Sequence, residues 1–272
     1  MTVTGIVLNP VGGDAPLLVE AARQAEQAGF ESVWCYDHMS ASVLRGNRSL
    51  DVWSVLGAVA ATTTRVRLGP LVANVTTRHA VHIATAAATI QSLSAGRLQL
   101  GLGAGASGAS PFAAEMSMFQ LPQDPADLRR ARVAETIAFL RALWAGDDRF
   151  DGRWAAFVDV EGVAIPEPLP PIIVGANGPR MAELAGHHAD VLNVHAWDRD
   201  PAALIRIAQR AAAAKGRAVP SVSVEARFEP EWLDPDSPSR RQAADAGASE
   251  VIVGWRAELG LDAIRHARRW LA

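Results

Sequence analysis

Short apolar runs and longer amphipathic stretches alternate along the whole chain, and each kind has its own punctuation. Val3 to Leu8 is an apolar run ended by Asn9-Pro10 and Gly12-Gly13, as a buried strand would be. Asp14 and Pro16 then open a helix, with Leu17, Leu18, Ala21, Ala22 and Ala25 at helical spacing and Gly29 as its stop. Ser32 to Tyr36 reads as a second strand, closed by the polar triplet Asp37-His38-Met39. The helix from Leu50 to Thr63 follows, with Trp53, Leu56, Gly57 and Ala60 on one face.

Val66 to Gly108 is the most informative stretch. Val66, Leu68, Leu71 and Val72 have β-type side chains around Gly69-Pro70. Proline is excluded from central ladders except at bulges and strand ends, so this third strand must distort near Pro70. The helix from about His79 to Leu93 is nearly all Ala, Thr, Ile and Val, with Gly96 just beyond it. Leu98, Leu100 and Leu102 form the fourth strand and enter the small-residue run Gly101 to Gly108. Side chains that small pack against nothing of their own, so something else should lie on that backbone.

The rhythm continues to the end. A loop from Ala109 to Pro125 has no clear periodicity, and a connection that long is more often functional than idle. Pro125 to Trp144 is a helix, and Phe150 to Pro171 a hairpin or extended excursion. Strands are predicted at Ile172 to Val174, Asp190 to Val194, Ser221 to Arg227 and Glu250 to Gly254. Helices are predicted at Pro179 to Gly186, Pro201 to Lys215, Arg240 to Ala246 and Leu259 to Leu271. The strands read as apolar and non-alternating, as when both faces are covered. Eight strands alternating with helices predict an α/β fold, a (β/α)8 TIM barrel forming a single domain over residues 1–272. An open doubly wound sheet is the alternative.

Composition narrows the function classes. A hydrophobic content of 49% and a net charge of −3 point away from nucleic acid and anionic membranes as partners. No segment reaches the roughly 18 apolar residues of a membrane helix. The start, MTVTGIVLNP, lacks the basic region of a secretory signal, so a cytoplasmic protein is expected. Cys35 is the only cysteine, which excludes a disulfide framework. Lys215 is the only lysine and precedes Gly216 at a helix end, which argues against Schiff-base chemistry.

In a barrel, chemistry belongs at the carboxyl ends of the strands. That rule selects Asn9, Asp37-His38, Ala73-Asn74, Gly103 to Ser107, Gly175 to Arg180, His195 and Trp197, Arg227, and Trp255-Arg256. The glycine-rich turns after strands four and five suit close backbone approach to a phosphate-bearing cofactor. Gly103 to Gly108 fits G-x-G-x-x-G, yet a loop with Pro111 follows it instead of a helix, so the dinucleotide reading fails on context. The nucleophile elbow fails too, because Ala109 stands where glycine is needed. His79, His82, His187 and His188 read as structural or solvated, and no metal site is expected. His38, beside Asp37 at a strand end, could donate or accept a proton, although such a pair could equally cap the next loop.

The segments AEQAGFESVWCYDHM, VRLGPLVANVTTRHAVHIATAAATIQSLSAGRLQLGLGAG, FDGRWAAFVDVEGV and PPIIVGANGPRMAELAGHHADVLNV carry a wider resemblance. In these, and in their order, the chain resembles the luciferase-like monooxygenase superfamily. GPLVANVTTRH is most similar to the coenzyme F420-dependent oxidoreductase branch that includes methylenetetrahydromethanopterin reductase. The resemblance implies a non-prolyl cis peptide at Leu71–Val72, in a bulge that presses on the deazaflavin ring. It implies cofactor contacts at Asp37, Asn74, Ala104, Gly105, Asn177, Gly178, Arg180 and Met181, with Leu71, Val72, Ala73, Gly103, Gly175 and Ala176 in the same bulge and turns. His38 matches a catalytic position. The implied activity is F420-dependent hydride transfer to or from a small organic substrate. The alternatives are an FMN-dependent monooxygenase and a non-catalytic flavin-binding relative.

Two departures qualify that resemblance. Ala106 stands where the branch's sugar-phosphate dehydrogenase has a glutamate, and a chain with one lysine lacks the lysines that hold the sugar phosphate, so glucose 6-phosphate is an unsuitable substrate. The resemblance also implies a homodimer, with the helix from Leu50 to Thr63 as a candidate surface. Phe112, Trp197, Arg227 and Trp255 are candidates for the substrate pocket.

Overall fold

In the computed structural model, which describes residues 2–44 and 46–271, the alternation of the sequence becomes a cylinder of parallel strands wrapped in helices. The strands are β1 (Val3–Leu8), β2 (Ser32–Cys35), β3 (Arg67–Pro70), β4 (Ala73–Asn74), β5 (Leu100–Gly103), β6 (Arg149–Asp151), β7 (Ala156–Val158), β8 (Ile172–Gly175), β9 (Val191–His195), β10 (Ser221–Arg227) and β11 (Ala248–Trp255). The helices are α1 (Ala15–Ala28), α2 (Val52–Thr62), α3 (Ala80–Leu93), α4 (Ala114–Met118), α5 (Ala126–Ala145), α6 (Pro179–His188), α7 (Pro201–Ala214), α8 (Pro230–Leu233), α9 (Pro238–Asp245) and α10 (Gly260–Leu271).

Pairing runs β3, β2, β1, β11, β10, β9, β8, β5, β4, and β1 sits between β2 and β11 because the chain's last strand returns beside its first. A parallel bridge between Leu68 and Leu98 joins β3 to the chain entering β5, through Leu68 N–H to Arg97 O at 3.1 Å and Gln99 N–H to Leu68 O at 2.8 Å. That contact closes the sheet, and the fold is the predicted TIM barrel. Gly69 is required there: a Cβ would lie 1.8 Å from the Gln99 carbonyl oxygen. The third stave is split, β3 ending at Pro70 and β4 resuming at Ala73, which is the distortion predicted from proline.

Helix boundaries follow local chemistry. Asp14 caps α1 by accepting from Leu17 N–H, and Gly29 ends it at φ 103°. Asp51 caps α2 through Ser54 N–H, and Asp200 caps α7 through Ala203 N–H. Two elements were not legible as periodicity: the short α4, inside the loop read as irregular, and α8, ahead of the predicted α9. The Phe150 excursion is a small antiparallel hairpin of β6 and β7, and Phe150 and Phe157 pack on Phe139 of α5.

The main core lies between strands and helices, and a second, smaller cluster of Val7, Trp34, Leu71, Ile173 and Ile252 fills the barrel itself. Below that cluster the interior is polar. Ser32 Oγ donates to Glu250 Oε1 at 2.5 Å and accepts from Trp34 Nε1–H at 2.6 Å. The strands are therefore not uniformly apolar. On β9 and β10, Asn193, Ser223 and Glu225 are buried among strand residues and partnered, so polar groups on the inner face are satisfied. No helix among the described residues is long and apolar enough to cross a membrane.

Candidate active site at the carboxyl rim of the barrel

The split third stave shapes one wall. The Leu71–Val72 peptide is cis, as the resemblance implies. Val72 lies against bare backbone: a Cβ on Gly103 would be 2.3 Å from Val72 Cγ2, and one on Gly175 would be 3.3 Å from Val72 Cγ1. A Cβ on Gly101 would meet the Pro70 carbonyl oxygen at 2.1 Å. The leucine–glycine alternation of β5 thus has a physical reason. Leucines face the helices, and glycines make room for the bulge.

Around this wall, each predicted residue has a definite place. Leu71 and Ala73 are buried, Leu71 in the barrel's inner cluster and Ala73 in the outer core. Asn74 Oδ1 accepts from Thr76 N–H at 3.0 Å and Thr76 Oγ1–H at 2.7 Å. Gly105, at φ 68°, passes so close that a Cβ would be 2.8 Å from Asn74 Oδ1. Arg129 of α5 fastens the same turn by donating to the Ala104 and Gly105 carbonyls at 3.0 and 2.8 Å. A cavity of about 300 Å³ opens beside it, lined in part by Thr76, Ala106, Ser107, Met116 and Arg129.

Across the rim, Gly175 to Met181 forms the turn into α6. Ala176 is buried, and its N–H donates to Asn193 O at 2.9 Å. Asn177 and Arg180 are exposed. No side chain among the described residues caps α6, whose first turn holds Pro179, Arg180 and Met181 behind Gly178. A Cβ on Gly178 would meet nothing within 4 Å. The amino end of a helix left open in this way favours an anionic group.

Asp37 and His38 are separated by what they touch. Asp37 turns back into the wall, accepting from Arg78 Nε and Nη2 at 2.7 Å each and from Asn74 N–H at 3.0 Å. His38 points the other way. Its Nδ1 lies 3.0 Å from Glu115 Oε1, its ring stacks on Phe112 at 4.8 Å, and its carbonyl accepts from Ser49 Oγ–H at 2.6 Å. Glu115 Oε2 also accepts from Met39 N–H at 3.1 Å. The sequence paired His38 with its neighbour, whereas the acid that meets it lies 77 positions away on α4. Glu115 was missed because α4 is too short for periodicity to reveal. The one signal was a lone acid among mostly apolar residues in FAAEMSMF, within a loop already marked as functional.

A second ionisable group of residues stands at the ends of β2, β9 and β10. Tyr36 Oη donates to Glu225 Oε1 at 2.5 Å. His195 lies between two acids, with Nε2 3.5 Å from Glu225 Oε2 and Nδ1 3.6 Å from Asp198 Oδ1. Burial works against the imidazolium there, but the Asp198 and Glu225 carboxylates outweigh it and raise His195 to about 9. Burial and the same glutamate push the Tyr36 phenol up. Trp197 is exposed and stacks on His195 at 4.7 Å, and Arg227 is exposed at the end of β10. Trp255 does not line the pocket: it is fully buried in the outer core and donates from Nε1 to the Gly260 carbonyl. Alternation along β11 places it behind the strand.

Comparisons with known proteins agree with this architecture. The profile of the family described as luciferase-like monooxygenase matches residues 6–257. An F420-dependent glucose-6-phosphate dehydrogenase of Beutenbergia cavernae is 38% identical over 168 residues, covering 61% of this chain and 48% of that protein. A 5,10-methylenetetrahydromethanopterin reductase of Methanolobus tindarius is 31% identical over 236 residues, covering 86% and 66%. The matches thus span about half to two thirds of these curated relatives' lengths. Among solved structures, an F420-dependent secondary alcohol dehydrogenase in complex with an F420-acetone adduct superposes with a TM-score of 0.82 at 17% identity, covering 100% of this chain and 99% of that one. The F420-dependent tetrahydromethanopterin reductase of Methanopyrus kandleri gives 0.77 at 19%, covering 99% and 98%.

Proposed function

The chain belongs to the luciferase-like monooxygenase family, and we propose that it is an oxidoreductase that carries out F420-dependent hydride transfer with a small organic substrate. The single observation that carries this reading is the position of His38. Its Nδ1 is paired and its ring packed, and no described residue hydrogen-bonds Nε2 at the rim shared with the bulge wall. The curated relative named for F420 dependence supports the choice of cofactor.

The residues fit a planar, phosphate-bearing group. Val72, seated on the bare backbone of Gly103 and Gly175 and itself half-buried, offers a wall to the ring, and the uncapped amino end of α6 offers the Arg180 N–H to an anion. Leu71, Val72, Ala73 and Asn74, with Gly103, Ala104 and Gly105, would hold the ring side. Gly175, Ala176, Asn177, Gly178, Arg180 and Met181 would hold the anionic side. Asp37 would serve through the wall it braces. Bound F420 supplies the two-electron hydride acceptor or donor. His38 Nε2 would take the proton released when a hydroxyl is oxidised, or return it in the reverse direction. The single lysine, Lys215, caps the end of α7, so the anchor for a sugar phosphate is absent among lysines and a smaller or uncharged substrate is favoured.

Titration of the purified protein with F420 and, separately, with FMN tests the reading. F420 binding is expected, with His38→Ala keeping that affinity while losing turnover. Tight FMN binding with no F420 binding would replace this reading by the flavin monooxygenase one. A homodimer is proposed through α2 and α3, where Trp53 and Gly57 flank a shallow groove edged by the exposed Leu93. Monomeric sedimentation at all concentrations would refute it.

A further inference from the structure

From the geometry around His38 we infer that Glu115 is a positioning residue, which fixes His38 as the Nδ1–H tautomer and so keeps Nε2 as the basic nitrogen. The inference rests on the reading of His38 as the group that moves the proton. Glu115 is buried, and both of its oxygens are engaged, one by His38 Nδ1 and one by Met39 N–H. A carboxylate can only accept hydrogen bonds. The Met39 amide can only donate, so it fixes the carboxylate in place. The neutral imidazole must then present N–H at Nδ1 and a lone pair at Nε2.

Two further contacts restrain the residue. Phe112 stacks on it with an interplanar angle of 22°, and Ser49 holds the His38 carbonyl. Phe112 and Glu115 flank the junction of the 3-10 turn Pro111–Ala113 and α4, so one short segment both covers the ring and supplies its acid. The carboxylate–imidazole relation is the one by which an orienting acid holds a catalytic base in its productive tautomer. Here the acid comes from the loop after β5, in a chain that has Ala106 in the preceding glycine-rich turn.

Glu115→Gln separates this role from a merely structural one. Glutamine has the same shape but only one accepting oxygen, and the Met39 amide cannot change what it donates. That oxygen therefore stays on Met39 N–H, and the NH₂ group faces His38 Nδ1. The ring can accept from it only by moving its proton to Nε2, which removes the base. Long-range ¹H–¹⁵N spectra of ¹⁵N-histidine-labelled protein without cofactor read this directly at a pH where the ring's own ¹⁵N shifts show it to be neutral. The His38 signals are identified by their loss in His38→Ala. The expected result is an Nδ1–H tautomer in the wild type and an Nε2–H tautomer in E115Q. Turnover in E115Q should fall about 100-fold, the scale of general-base catalysis, with F420 affinity unchanged within about twofold. An Nε2–H tautomer in the wild type would overturn the inference even if E115Q failed to fold, as would the same tautomer in both proteins. A tautomer switch in a protein without F420 activity would uphold the positioning role and remove the hydride-transfer reading.

Discussion

Arg78 holds Asp37 by two hydrogen bonds of 2.7 Å and reaches on to Asp51 at 2.8 Å, so one guanidinium ties the ends of β2 and β4 to the amino terminus of α2. The Asp37 side chain is only 2% exposed. Its remaining partner is the Asn74 amide, which shapes the bulge wall. A structural pair thus stands directly behind the proposed cofactor surface.

Removing one member of such a pair strands a buried charge. Arg78→Leu is expected to cost about 3 kcal/mol in urea denaturation, because Asp37 is left with one neutral donor. Pairing it with Asp37→Asn should cost less than the sum of the two single changes, since no uncompensated carboxylate remains. Strict additivity would show that the two residues do not act as a unit.

The glycines divide by what surrounds them. Gly101→Ala would place a methyl 2.1 Å from the Pro70 carbonyl oxygen, where backbone must give way, and about 2–3 kcal/mol of stability should be lost. Gly178→Ala meets nothing within 4 Å and sits at an extended φ of −169°, so its thermal midpoint should match the wild type within the equivalent of about 0.5 kcal/mol. Its F420 affinity should nevertheless fall, because the methyl stands at the open end of α6. Unchanged affinity in Gly178→Ala would remove that helix end from the cofactor site.

These contrasts show what the amino-acid order made legible. Proline in the third strand announced the bulge, and the small-residue run announced backbone meant for close approach, because both are local consequences of single side chains. The barrel followed from repeated strand and helix punctuation. Glu115 and Glu225 were hidden for a different reason. Each acts on a histidine or tyrosine from another stave, His38 77 positions away in one case and Tyr36 189 positions away in the other, so no spacing rule relates them. Asp37 stood out at a strand end, but its partner did not, because Arg78 reaches it only after the third stave has bent. Trp255 was misplaced by one step of strand alternation.

His195 gives the fold a pH dependence of definite sign. Its folded value of about 9 lies above the ordinary 6.5, so the native state holds the proton more tightly than the unfolded chain. The contribution is complete below about pH 6.5 and is lost as pH rises through 9, at up to about 1.4 kcal/mol per pH unit. The His195 side chain is 20% exposed and its contacts with Asp198 and Glu225 are 3.6 and 3.5 Å, so the total should be on the order of 2–3 kcal/mol. Denaturant midpoints measured between pH 6 and 10 should therefore decline through this window in the wild type, and His195→Asn should flatten that decline while lowering stability most at the acid end. The acid-end loss arises because Asp198 and Glu225 then face each other with no cation between them. A variant that matched the wild-type slope would place the proton elsewhere.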